Sequence, residues 1–294
     1  MIVTRQSVEV LEGTTEGAVE SKLLNMNSEL VASKLTGAVG SGLYKIIGQH
    51  WPGCYDPRRG DGTVLLNHIL KFETFGEICP QGTQLRQDYQ FRLVATRHGN
   101  GQLKRGHVVM NCKMFNREIE THPLVAHVEF WMALSRLLAP KGERVPRDVP
   151  AEIGFLKERA PADSDLISRD IESYRCCQSD NEQIFQDTVP HAFHIDRSDQ
   201  FLHINTLVYM DQSLDHLALL YQKAGGNPGH LRFRELTIYF RKPFVPGQTA
   251  EAEVDVAEKT NQFQGAVRFY HVDGKGRRSE RISTALLARG PLVQ

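Results

Sequence analysis

The sequence predicts an α+β fold built as two similar units, each a long helix followed by a curved antiparallel sheet. Three observations lead there. Two helix-patterned stretches, at about 28–50 and 206–223, are each followed by a run of strand-patterned stretches. Helices do not alternate with single strands, which disfavours a parallel βαβ sheet. Local sequence detail also recurs in the same order in both halves, which favours an internal duplication.

The first half opens with a strand pattern, SVEVLEG, followed by the helix pattern ELVASKLTGAVGSGLYKIIGQH, from Glu29 to His50. Gly37, Gly40 and Gly42 would each cost roughly 1 kcal/mol against Ala in an exposed helix, so they point to close backbone packing. Strand patterns follow in ILKFETF, LRQDYQFRLV, HVVMNCKMF and VAHVEFWMAL. In the second of these, Leu85, Gln87, Tyr89, Phe91 and Leu93 alternate with Arg86, Asp88, Gln90 and Arg92. Such period-two runs suit an antiparallel sheet with one covered face.

Residues 139–165 hold four of the thirteen prolines and many charges without sustained periodicity. They read as a linker between a first unit at 1–138 and a second at 166–294. In the second unit Leu207, Met210, Leu214, Leu217 and Tyr221 fall on one face of a helix that Gly225 and Gly226 stop. Strand patterns FRELTIYFRKPF, AEAEVDVAE, GAVRFYHV and RISTALLAR come next. The repeat places Pro80 and Thr83 near Pro246 and Thr249, and the strand from Gly106 against the one from Gly265.

Lys and Arg total 35 against 35 for Asp and Glu, so no global positive field recruits nucleic acid or an anionic membrane. No stretch approaches the roughly 18 uninterrupted apolar residues of a membrane span, and the N-terminus runs directly into charged residues. Five cysteines without CxxC spacing fit a reducing compartment, and the expected location is cytoplasmic. His191, His194 and His203 fall in a Pro- and Asp-punctuated loop without a Cys pair or HExxH, so no metal and no cofactor are expected. Walker A, GxGxxG and GxSxG motifs are missing from the chain.

The informative segment runs from Pro190 to Tyr221, where Asp199, His203, Asn205 and Tyr209 make D-x-x-x-H-x-N-x-x-x-Y at the mouth of the second helix. Each residue has a structural reading: Asn205 as a helix cap, His203 and Tyr209 as packing, Asp199 as a turn residue. The joint spacing raises a catalytic one. A carboxylate placed to attack a carbonyl or activate water, beside the positive end of a helix, is the equipment of acyl transfer. The stretch ESKLLNMNSELVAS in the first half has no Asp followed four residues later by His.

This segment resembles the signature of the hot-dog thioesterases, both the hydroxybenzoyl-CoA thioesterase group and the plant acyl-acyl carrier protein thioesterases. It departs from them at Phe201, Leu202 and Thr206. The resemblance implies a double hot dog, each unit a curved sheet wrapped on one long helix, with a single site between the units. It implies Asp199 as base or nucleophile, His203 and Asn205 as orienting catalytic partners, and Thr206 and Tyr209 as substrate-binding residues. The implied substrate is an acyl-CoA or an acyl carrier protein of fatty acid or polyketide metabolism, and a homodimer is allowed. A hot-dog dehydratase or hydratase, an acyltransferase and a non-catalytic acyl-binding protein stay open as alternatives. The basic set Arg232, Arg234, Arg241 and Lys242 reads either as a solvated strand face or as a holder of CoA phosphates.

Overall fold

A computed structural model describes residues 3–6, 11–24, 28–161, 170–176, 183–194, 198, 203–259 and 261–293. The chain divides into two compact units, Met1–Leu166 and Ile167–Gln294.

In the first unit, strands β1 (Val3–Gln6) and β2 (Leu11–Ala18) precede helix α1 (Leu35–His50). Strands β3 (Thr63–Thr74), β4 (Gln84–Arg97), β5 (Leu103–Asn116) and β6 (Leu124–Arg136) follow it. They pair antiparallel in the order β1-β2-β4-β5-β6-β3. The second unit has β8 (Gln183–Ala192), helix α2 (Thr206–Lys223), β9 (Glu235–Phe240), β10 (Thr249–Lys259), β11 (Gln262–Val272) and β12 (Thr284–Pro291). Its antiparallel order is β8-β10-β11-β12-β9. Reading β2 as β8 and β3 to β6 as β9 to β12, the two orders are the same. A large antiparallel sheet with few helices is therefore built twice from one plan.

Alternation decides which residues meet the helices. In α1, Leu35, Val39, Leu43, Ile46 and Ile47 are buried at helical spacing, and each such side chain contributes about 1.5–3 kcal/mol on full burial. The helix lies close to β2 and β4. A Cβ added at Gly13 would stand 2.6 Å from Ile46, and one at Gly42 would collide with the hydroxyl end of the Tyr89 ring. Gly37 and Gly40 have nothing within 4 Å, so only Gly42 of the three helix glycines marks a close approach. The other strand face carries paired charges. Glu129 holds Lys71 at 2.9 Å and accepts from the Trp131 indole at 2.8 Å. In the second unit Arg268, almost wholly buried, grips Asp255 at 2.6 and 2.8 Å, as a buried charge requires.

Four expectations change. Helix α1 begins at Leu35, because Leu30 bridges to Leu24 and Glu29 to Ile78, and Ser28 takes a positive φ of 59° that a helix does not use. The 139–161 stretch, expected to link, carries β7 (Glu158–Arg159), which pairs parallel with β4, and it buries Ile153 and Leu156. His191 lies in strand β8, where a loop was expected. Among the described residues β8 pairs with β10 alone, and a strand with one free edge tolerates Pro190, which has no N–H to give. Finally, the buried side of α2 is wider than its expected stripe: Met210, Leu217 and Tyr221 are buried as expected, but Leu207 is exposed and Leu214 half-buried, while Val208, Tyr209, Ser213 and Leu220 join the buried side.

Candidate active site

Asn205 sets the mouth of α2. Its backbone is extended (φ −60°, ψ 142°), and its Oδ1 accepts from the Leu207 N–H at 2.9 Å. Its own carbonyl accepts from the Val208 N–H at 3.0 Å. Two of the donors that a helix start leaves over are thus taken by Asn205 itself, and what this end presents beyond them is the positive pole of the helix dipole.

The turn between β9 and β10 clamps this mouth. Ile204 donates its N–H to the Phe244 carbonyl at 2.9 Å, and the Phe244 N–H donates to the Tyr209 hydroxyl at 2.8 Å. Tyr209 is fully buried, its ring 5.3 Å from Phe193, 5.3 Å from Phe240 and 5.9 Å from Phe269. Its position is that of a packing residue fixing the first turn. His203, half-buried, stands just ahead of Ile204, itself bridged to Ser198. The structure therefore brings His203, Asn205 and Thr206 together at the helix mouth and places Tyr209 one turn inward. Asp199 lies outside the described residues.

Along α2 and on the sheet that faces it sits a polar set that the sequence reading missed. Among the described residues, Ser213 Oγ, His216 Nε2, His271 Nε2 and Thr284 Oγ1 are buried without a hydrogen-bond partner. An unpaired buried polar atom costs about 1–3 kcal/mol, so each of the four needs an account. His271 lies against Phe244 with ring centroids 3.9 Å apart, beside the turn that clamps the helix mouth. Burial, reinforced by the Lys242 ammonium, lowers its proton affinity, and the backbone of Lys242 partly offsets this. Burial also lowers the pKa of His216 and of His191, whose rings stand 5.9 Å apart. Alternation along β11 was the one available signal, because it puts His271 on the face of Val267 and Phe269.

The first unit answers part of the same demand internally, although Thr36 Oγ1 in the first turn of α1 is likewise buried without a hydrogen-bond partner among the described residues. Its Tyr89 hydroxyl lies 2.6 Å from Gln87 Oε1 and 3.2 Å from the Val39 carbonyl, and Thr15 reaches Gln87 at 3.2 Å. Helix α1 has Lys34 at its N-cap position and no side-chain cap. Among the described residues no group of three or more His, Cys, Asp or Glu is placed to hold a metal ion, and no helix is long and apolar enough to cross a membrane. In the basic set, Arg232 donates to the Gly229 and Leu231 carbonyls, while Arg241 and Lys242 are exposed.

No protein-family model and no curated protein matches the chain. Solved structures do. A Lactobacillus plantarum protein assigned as an oleoyl thioesterase superposes with a TM-score of 0.64 at 8% identity, over 96% of this chain and 97% of that one. The 12:0-ACP thioesterase from Umbellularia californica gives 0.63 at 11% identity, over 98% and 99%. An acyl-ACP thioesterase from Bacteroides thetaiotaomicron gives 0.58 at 13% identity, over 94% and 96%. At such identities the likeness is one of fold, and it covers nearly the whole of each chain. The large antiparallel sheet with few helices fits the hot-dog fold.

Proposed function

We infer that this protein is an acyl thioesterase acting on an acyl-CoA or an acyl-acyl carrier protein, with its chemistry at the mouth of α2. The observation that carries the reading is the start of that helix at Thr206, with Asn205 as its cap and His203 two residues earlier, as the Asp-His-Asn spacing requires. In this reading Asp199 is the base or nucleophile, the helix dipole polarises the thioester carbonyl, and His203 and the Asn205 amide orient the reactants. The likeness in fold to thioesterases adds weight as analogy.

The test is thiol release from acyl-CoA and acyl carrier protein conjugates, with products identified by mass. Asp199→Asn should lower turnover by roughly 10² to 10⁴ while leaving thermal stability nearly unchanged. A folded Asp199→Asn protein with full activity would remove Asp199 from the mechanism. Dehydrated or transferred acyl products would move the assignment to a dehydratase or an acyltransferase.

A further inference from the structure

Ser213 and Thr284 are both fully buried, and neither hydroxyl meets a partner among the described residues. Their neighbours fix their places. Thr284 stands opposite Phe269 on one side and Phe240 on the other in the strand register, and the Tyr209 ring lies against both. Thr284 is therefore on the sheet floor beneath the first turn of α2. Ser213 is one turn further along the buried side of the helix, between Tyr209 and Leu217. His271, two residues beyond Phe269 on the same strand face, and His216, whose neighbour His191 lies 6.2 Å from Phe269, contribute the two unpartnered ring nitrogens.

A plain alkyl chain is best received by Ala, Val or Leu, and hydroxyls at these positions would be unpaired both with and without it. A group that both donates and accepts suits two hydroxyls and two ring nitrogens. A carboxylate suits them less, because burial disfavours the charged form of both imidazoles. We propose that the layer between α2 and its sheet receives an acyl chain carrying a hydroxyl or keto oxygen, and that Ser213 and Thr284 select it. The proposal rests on the thioesterase reading for where the carbonyl sits. From the helix mouth, Thr284 lies about one turn in, ~5 Å, and Ser213 about two, ~10 Å. The first distance is the reach of an oxygen on the third carbon, the second that of a mid-chain oxygen.

The test separates binding from cleavage. Affinities are measured by calorimetry for non-hydrolysable CoA thioethers of a ten-carbon chain, unsubstituted, 3-hydroxylated, 3-oxidised and hydroxylated at mid-chain. At least one oxygenated chain should bind tighter than the unsubstituted one by about tenfold or more, since a site built to hydrogen-bond an oxygen rejects the analogue lacking it. Ser213→Ala and Thr284→Val, singly and together, should bring that ratio towards unity, with melting curves verifying the fold. A wild-type protein that binds the unsubstituted chain equally well or better overturns the proposal without any variant, as does failure to bind every analogue. Thiol release from the matching thioesters is scored separately. Discrimination in binding without cleavage sinks the thioesterase reading and keeps the selective site, whereas cleavage without discrimination does the reverse.

Discussion

Asn205 closes the first turn of α2 with two oxygens, its side-chain Oδ1 on Leu207 and its carbonyl on Val208. Asn205→Ala removes only the first, and the expected loss in thermal or urea unfolding is about 1 kcal/mol. Asn205→Ser caps nearly as well, so it should restore that stability. The pair separates the two roles of the residue: if Ser restores stability but thiol release stays low, the amide acts in the chemistry, and if Ser restores both, Asn205 is a cap alone. This much was legible in the sequence, because an N-cap type directly before a periodic run is a local signal. Ser213, Thr284 and His271 were not legible. Their importance lies in what they fail to bond, and that depends on register between β9, β11 and β12 and on which side of α2 is buried.

At the scale of elements, sequence periodicity located α2 from Thr206 to Lys223 and the strands of both meanders, since cap, stop glycines and alternation are all short-range. Strand β8 escaped it because Pro190 reads as a breaker, and only the sheet position of β8 makes a proline tolerable there. Rotation about a helix axis was equally hidden, as the three glycines of α1 show. Gly37 is exposed with nothing near it, whereas a Cβ at Gly42 would collide with the Tyr89 ring. Gly37→Ala should therefore stabilise the protein by up to about 1 kcal/mol through helix propensity alone. Gly42→Ala gains the same propensity but must push Tyr89 off Gln87 and Val39, and overpacking of this kind costs about 1–3 kcal/mol. Opposite signs in urea denaturation are the expected result; a stabilised Gly42→Ala would mean that Tyr89 yields freely.

Across the whole molecule the duplicated plan was visible in the order of patterns, but the burial of titratable groups was not, and it has a consequence for pH. Burial lowers the proton affinity of His191, His216 and His271 in the second unit and of His127 in the first. Lys242 reinforces the shift at His271, His194 and His216 reinforce it at His191, and Asp215 and Asp187 oppose it at His216. At His127, Glu129 and Glu73 oppose it, against Lys113 and Lys71. An imidazole whose folded pKa lies below its ordinary 6.5 binds fewer protons folded than unfolded. Its contribution is therefore complete above pH 6.5 and is lost as pH falls from there through the folded value. Glu129 and Glu253 are shifted below their ordinary 4.5, and Asp187 below 3.8, so their contributions go only at lower pH. Between pH 6.5 and 4.5 the shifted histidines should thus govern the loss, and three of the four belong to the second unit. Peptide-level hydrogen exchange at about pH 7.5 and about pH 5, corrected for the intrinsic rate, should show α2, β8 and β11 losing more protection than α1, β2 and β4. Replacing His191 and His216 with Gln, neutral throughout, should flatten that difference. Equal protection of α2 at the two pH values would show that these imidazoles take up protons in the folded state at no cost to it.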